Sequence, residues 1–319
     1  MSFFVEKKDE KGILLSKGYF QYKKGVEMKH RSGFVNIIGH PNVGKSTLMN
    51  LLVGEKLSII TPKAQTTRHR ILGIVNEDNY QIVYSDTPGI IEPAYKLQEG
   101  MMKFVYNSLE DADLLLLMVE CGQKKFGNED LLTFLKETEI PIILLVNKID
   151  LSDQSILEAQ LKHWAEVFPK AEVLPISALH KFQIDVLKKR IVEKLPECPP
   201  YYPKDALTDK SERFFVEEKI REKILLHYEQ EIPYATEVVV ESFKEEEDII
   251  RIRAIIYVAR DSQKGILIGK GGHKLKGIGM AARKDLEIFF EKQIYLDLFV
   301  KVNKDWRNDE KQLKRFGYL

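Results

Sequence analysis

Several groups of residues on this chain have the types and spacing to hold a phosphorylated nucleotide. Gly39-His40-Pro41-Asn42-Val43-Gly44-Lys45-Ser46, followed by Thr47, fits the pattern G-x-x-x-x-G-K-[ST]. In such a turn the backbone N–H groups point at phosphate oxygens, and glycine lets the backbone come close. The helix that follows presents its positive end. Lys45 then neutralises the β- and γ-phosphates, and the Ser46 hydroxyl ligates Mg²⁺. Asp86-Thr87-Pro88-Gly89 ends an apolar run. Asp86 is placed to reach Mg²⁺ through water, and the Gly89 N–H to bond a γ-phosphate. Asn147-Lys148-Ile149-Asp150 ends another such run. A carboxylate at Asp150 accepts two hydrogen bonds from guanine. Adenine leaves it unpaired, a loss of ~1–3 kcal/mol that selects the base. Asn147 is expected to tie this loop to the phosphate loop, and the Lys148 stem to cover the base. A backbone N–H of Ser177-Ala178-Leu179 is expected to meet the guanine carbonyl oxygen. The ligand these groups predict is GTP or GDP with Mg²⁺.

Residues 62–70, Pro-Lys-Ala-Gln-Thr-Thr-Arg-His-Arg, are polar and basic without apolar period. They read as a free switch loop whose threonine reaches Mg²⁺ when a γ-phosphate is present. Thr67 is favoured over Thr66.

A second glycine cradle, Ile268-Gly269-Lys270-Gly271-Gly272, lies near the other end. Lys264, Lys270, Lys274 and Lys276 crowd it, with Asp261 the one acid from 261 to 276. Backbone N–H dipoles and ammonium groups in this setting clamp a single-stranded nucleic-acid backbone beside an apolar groove for the bases. Ile266, Leu267 and Ile268 are expected to form an apolar helix face. Gly277 and Gly279 are expected to let the next helix pack closely.

The elements that carry these groups follow from the hydrophobic pattern. Short apolar runs at 34–38, 114–119 and 142–146 suit strands buried on both faces. Strands are also predicted at 71–75, 80–85 and 173–176, with residues 77–79 turning a hairpin. Helices are predicted at 45–53, 98–109, 129–137, 156–167 and 184–195. This alternation predicts an α/β domain with a mostly parallel sheet and helices on both faces. Four prolines within residues 196–203 mark a linker or an extended wrap between domains. The later order changes to a helix at 213–228, strands at 236–243 and 249–258, helices at 261–268 and 274–290, and a strand at 295–302. That is a smaller α+β domain. The predicted layout is an extension at 1–31, a nucleotide domain at 32–196, a linker at 197–210, and an RNA-binding domain with its tail at 211–319.

With 319 residues, about two domains fit. The net charge of +1 makes no general claim on nucleic acid, so basic surface must be local. Two cysteines supply no disulfide framework, and the longest apolar runs are too short to span a bilayer. A cytoplasmic monomer is expected, with peripheral membrane association left open. Residues 1–31 are mixed in charge and expected to be loosely ordered, and Met28 makes an upstream start codon for 1–27 a reading that N-terminal mass spectrometry tests. Among the seven histidines no pair has metal-ligand spacing, and His69 reads as RNA-facing or solvated. Trp164 and Trp306 read as packing residues.

Taken together, the nucleotide motifs resemble those of the translation-factor-like GTPases. Residues 65–70, Asp86-Thr87-Pro88-Gly89 and the second glycine cradle resemble the bacterial Era GTPase family, from about Gly33 to Leu319. The later element order, and the tail from Asp305-Trp306-Arg307 to Tyr318, are similar to the type II KH domain of that family. The resemblance implies GTP hydrolysis, binding near the 3′ end of 16S ribosomal RNA, and a role in maturation of the 30S subunit. It also implies that Ile90 stands where Ras-like enzymes carry a water-orienting glutamine. By the same resemblance Asn42 marks a K⁺ site, so hydrolysis is expected to be slow and faster in K⁺ than in Na⁺. The catalytic set expected is Lys45, Asn42, Thr67 and Gly89. Two rivals stay open: an RNA-binding adaptor without turnover, and a GTPase serving tRNA modification or a membrane system.

Overall fold

A computed structural model describes residues 30–319. The reading of residues 1–27 as an upstream start lies outside the described residues. The first half alternates as its pattern predicts: β1 (Arg31–Gly39), α1 (Lys45–Val53), β2 (Ile71–Asn76), β3 (Tyr80–Asp86), α2 (Lys96–Glu110), β4 (Leu114–Glu120), α3 (Glu129–Glu137), β5 (Ile142–Asn147), α4 (Gln154–Val167), β6 (Glu172–Pro175) and α5 (Ile184–Lys194). The six strands form one sheet in the order β2-β3-β1-β4-β5-β6. Only β2 runs antiparallel, as the hairpin partner of β3. Helices on both faces leave the middle of β4 and β5 no solvent. Leu114, Leu115, Leu116, Leu117, Met118 and Val119 are fully buried, which is why that run is unbroken by polar residues. β1 starts three residues before the predicted strand and takes in Arg31, whose guanidinium donates to Glu193 O at 2.8 Å.

This topology gathers the nucleotide motifs. The loops after β1, β3, β5 and β6 all leave the carboxyl edge of the sheet, where open α/β sheets bind ligands.

The proline-rich segment is a wrap. Cys198 N donates to His30 O at 3.1 Å, and Tyr201 N and Tyr202 N donate to Gln81 Oε1 at 2.7 and 2.9 Å. Ile74 N donates to Leu207 O at 2.8 Å, and Thr208 bridges Gly73. The segment therefore covers the open edge of β2, whose backbone groups otherwise face water or another strand.

The second half is α6 (Glu212–His227), β7 (Thr236–Glu245), β8 (Ile249–Val258), α7 (Asp261–Ile268), α8 (His273–Phe290), β9 (Gln293–Val302) and α9 (Glu310–Arg315). Its sheet runs β7-β8-β9, antiparallel then parallel. Val216, Ile220 and Ile224 of α6 and Ile278, Ala282 and Leu286 of α8 pack on one face. The other face meets the tail. Trp306, Leu313, Phe316 and Tyr318 are buried between Ile255 and Tyr257 of β8 and Leu97 and Met101 of α2. Each such side chain contributes about 1.5–3 kcal/mol of burial, so this cluster joins the halves firmly. Trp306 Nε1 donates to Ala235 O at 3.1 Å, and Trp164 of α4 is buried in the core, as packing residues should be.

Candidate functional site: a nucleotide cleft and a glycine loop

The phosphate loop turns on positive φ at Asn42 (64°) and Gly44 (104°). A Cβ at Gly44 would sit 2.4 Å from Asn147 Nδ2, so only glycine lets this close approach form. α1 starts at Gly44 with no side-chain cap, whereas Asn128 caps α3 and Ser211 caps α6. Its first N–H groups are thus left for a ligand. Lys45 Nζ donates to Gly39 O at 3.0 Å and His40 O at 2.9 Å. Burial lowers its pKa to about 8, against the opposing pull of Asp86.

Ser46, Thr67 and Asp86 converge. Asp86 Oδ2 accepts from Ser46 Oγ at 2.7 Å and Thr67 Oγ1 at 3.3 Å, and the two hydroxyls lie 2.9 Å apart. Asp86 Oδ1 is buried without a hydrogen-bond partner. Burial pushes this carboxyl up, and the charge of Lys45 is the largest effect opposing it. A buried, half-satisfied carboxylate beside two hydroxyls is a set of hard oxygen donors and suits Mg²⁺. Thr66 points elsewhere, pairing with Thr61 Oγ1 and Lys63 O, both at 2.6 Å. Thr87 Oγ1 donates to Ile37 O at 2.8 Å, and Pro88 is buried behind it. A Cβ on Gly89 would lie 2.7 Å from Pro41, so this loop packs directly on the phosphate loop.

On the base side, Asn147 Nδ2 donates to Val43 O at 2.7 Å, and Asn147 Oδ1 accepts from Ala178 N at 3.0 Å. One buried amide thus ties three loops. Asp150 Oδ1 accepts from Ser177 Oγ at 2.5 Å. Lys148 adopts φ 62°, and its ammonium pairs with Glu120 at 2.8 Å. Leu179 is exposed. These groups, with Pro41, Asn42, Gly44 and Thr47, line one cleft of about 650 Å³. Asn42 Nδ2 donates to Pro62 O at 3.0 Å on its rim.

The second cradle lies in the other half. Gly269, Gly271 and Gly272 have φ of 72°, 60° and 78°, a run that side chains resist. α8 begins there uncapped by any side chain. Lys270, Lys274 and Lys276 are exposed and Lys264 is half-buried. Beside the loop, Leu275, Gly279, Met280, Leu296 and Leu298 line a groove of about 310 Å³ with Lys276 and Arg283 on its border. Two expectations fail here. Ile266 is 46 % exposed, because the single turn of apolar residues buries only Leu267 fully. Gly277 faces open space, and only Gly279 meets a neighbour, Leu298.

Residues 34–148 match the family model described as 50S ribosome-binding GTPase, and residues 231–307 match that of the KH domain. GTPase Era of Alkaliphilus metalliredigens is 46% identical over 294 residues, covering 91% of this chain and 100% of that protein. GTPase Era of Syntrophus aciditrophicus is 48% identical over 297 residues, covering 92% and 97%. The chain belongs to the Era GTPase family. Among solved structures, Era in complex with MgGDPNP and nucleotides 1506–1542 of 16S ribosomal RNA superposes with a TM-score of 0.87 at 38% identity, covering 91% of this chain and 99% of that one. A variant of Aquifex aeolicus Era bound to GDP.AlF4- gives 0.86 at 38%, covering 90% and 99%.

In this Era-family chain the switch loop is not free, which corrects the sequence reading. Arg68 is 1 % exposed and donates to Thr236 O (2.7 Å), Glu237 Oε2 (3.1 Å) and Pro233 O (3.0 Å). Arg221 of α6, paired with Glu218 at 2.6 Å, donates to Gln65 O and Thr66 O. Lys63 donates to Tyr228 O. His69 is half-buried and turned toward other rings. Its ring stacks on Tyr318 with centroids 4.3 Å apart and meets Phe104 and Phe214. Burial and the surrounding cations, Lys210 first, hold its pKa well below the usual histidine range. Tyr318 Oη donates to Glu237 Oε2 at 2.9 Å, closing the cluster. Sequence reasoning missed Arg68, Glu218, Arg221, Glu237 and Tyr318 as one unit. The available signal was Glu218 and Arg221 three apart on the side of α6 that also carries Leu225, seven residues on from Glu218 and four from Arg221, where a charged pair has no reason to sit unless it has a target.

Proposed function

We propose that this chain is a Mg²⁺-dependent GTPase that binds the 3′ region of 16S ribosomal RNA through its KH domain and acts in 30S subunit assembly. The observation that carries the nucleotide half is the meeting of Ser46, Thr67 and Asp86, with Asp86 Oδ1 buried and unpaired. Those three residues would hold Mg²⁺, which when bound offsets charge on the β- and γ-phosphates. Lys45 and the uncapped start of α1 bind the phosphates. Gly89 reports the γ-phosphate through its N–H. Asp150 reads guanine, Asn147 braces the reading loop against the phosphate loop, and the Leu179 backbone closes the pocket. Asn42 has its amide nitrogen bound to Pro62 O, which leaves its amide oxygen for K⁺. The cation supplies charge that an arginine supplies elsewhere.

The RNA half rests on the lysine-ringed loop of Gly269, Lys270, Gly271 and Gly272, flanked by Ile268, Lys264 and Lys274 beside an apolar groove. A similar protein has been solved with 16S nucleotides and MgGDPNP together. The loop that carries Thr67 also carries Arg68, so a γ-phosphate that draws in Thr67 pulls on the KH domain through Thr236 and Glu237.

Multiple-turnover phosphate release tests the reading. Release faster in K⁺ than in Na⁺, lost on removing Mg²⁺ and lost in Lys45→Ala, is the expected result. Nucleotide binding without release assigns an RNA-binding adaptor instead. Crosslinking in cells that recovers no 16S RNA removes the ribosomal role.

A further inference from the structure

Gln65 lines the cleft with Lys45, Ser46, Thr67 and Gly89, yet has no part in the chemistry above. Its φ is 56°, a conformation most side chains avoid, held by the Arg221 guanidinium on its carbonyl oxygen at 3.4 Å. Its side-chain Oε1 accepts from Tyr95 Oη at 3.1 Å. Tyr95 stands just before α2, after the Asp86–Gly89 loop, and its ring lies 4.8 Å from the Arg307 guanidinium. The backbone closes the same contact, with Leu97 N donating to Arg307 O at 2.9 Å.

The attacking water needs a holder. Ile90 is 2 % exposed, its apolar side chain packs in the core and its N–H is tied to Gly39 O, so it has neither a polar side-chain atom nor a free donor for water. Among the amide side chains on the cleft, Asn147 is spent on Val43 and Ala178, and Asn42 gives its nitrogen to Pro62 and, in the reading above, its oxygen to K⁺. Gln65 keeps free capacity. Tyr95 takes one lone pair of Oε1, which leaves the second for a water proton and Nε2 for a phosphate oxygen.

We propose that Gln65 holds the attacking water for GTP hydrolysis and that Tyr95 positions Gln65. The inference rests on the GTPase reading above. In the step, the water oxygen bonds to the γ-phosphorus while the bond to the β–γ bridging oxygen breaks. GDP leaves with the electron pair, and the water's proton passes to the released phosphate. Gln65 orients the water and transfers no proton. Because Arg307 belongs to the tail that covers the KH sheet, the water-holding side chain is two contacts from the RNA-binding half.

The test is single-turnover hydrolysis by the full chain in Mg²⁺ and K⁺, with affinity read separately from a fluorescent GDP analogue. Gln65→Gly removes the side chain and accepts the positive φ. We expect its rate to fall about tenfold or more while affinity stays within about twofold. Tyr95→Phe keeps the ring on Arg307, and we expect it to lower the rate about threefold, with no further loss in the Gln65→Gly background. Gln65→Gly hydrolysing at the parental rate, or losing affinity in step with rate, overturns the catalytic assignment. A Tyr95→Phe loss undiminished without Gln65 overturns the positioning role. A parental protein that hydrolyses no GTP sinks the GTPase reading instead, so the two failures are distinct.

Discussion

The two glycine cradles of this chain are built in opposite ways. In the phosphate loop, glycine permits interlock: Gly44 lies against the Asn147 amide, which in turn grips Val43 and Ala178. Around Gly271 and Gly272, glycine permits openness: a Cβ at Gly272 would meet nothing within 4 Å and one at Gly271 would come no nearer than 3.6 Å to the His273 ring, while at Gly269 the close neighbour is the flexible Lys274 stem at 2.8 Å. The first arrangement suits one small ligand recognised at several points by groups already fixed. The second suits a long flexible polymer held by dipoles and charge, each contact adding its own share. The interlocked site should therefore fail as a unit and the open one by degrees.

The largest break expected is Asp86→Ala, which removes the buried carboxylate at the centre of the hydroxyl pair. Hydrolysis should fall by about a thousandfold in phosphate-release assays, while nucleotide-free RNA binding holds. Next is Arg68→Ala. It takes the paired cation from the buried Glu237 carboxylate, which keeps its bond from Tyr318, and a donor from the Thr236 and Pro233 carbonyls, and should cost about 3 kcal/mol in denaturant unfolding. It should also make RNA affinity indifferent to GTP. Lys270→Asp with Gly271→Asp should weaken single-stranded RNA by about a hundredfold in anisotropy titrations, with the salt slope reduced and hydrolysis unchanged. Lys270→Ala alone should lose only a fraction of that, which is the mark of an open site.

The smallest effect is with pH. Lys45 is held at about 8 by burial, below its ordinary 10.5. A phosphate needs the ammonium, so above about pH 8 nucleotide binding takes up a proton, and affinity should fall by up to about tenfold per unit. Stability of the nucleotide-free protein moves the other way. Between about 8 and 10.5 the unfolded chain holds a proton that the folded lysine has lost, so unfolding becomes harder as pH rises. Calorimetry in buffers of different ionisation enthalpy measures the uptake.

Much of the fold could be read in the chain because its signals are local. The unbroken apolar run of β4, the turn between β2 and β3, and the change of element order after the prolines each sit within a few residues. The cleft was legible for the same reason, since each motif closes a strand and parallel strands end together. The domain contact was not. Arg68 and Glu237 lie 169 positions apart, and each alone is an ordinary surface charge type. Burial of Arg68 becomes sensible only when the Glu237 carboxylate and the Pro233 and Thr236 carbonyls arrive from elsewhere in the chain. His69 was misread likewise, because nothing near it in sequence supplies the Tyr318 ring.

The wrap along β2 has a practical consequence. Residues 197–210 hold no helix or strand and include Lys204 and Lys210, so they look like the natural place for trypsin to part the two halves. Yet the peptide groups a protease must pull into its own active site are engaged by Gln81, Asn76 and Ile74, and Tyr201 lies on Phe34. Digestion should spare this stretch, and the two halves should run as one band on a gel until the sheet beneath them melts.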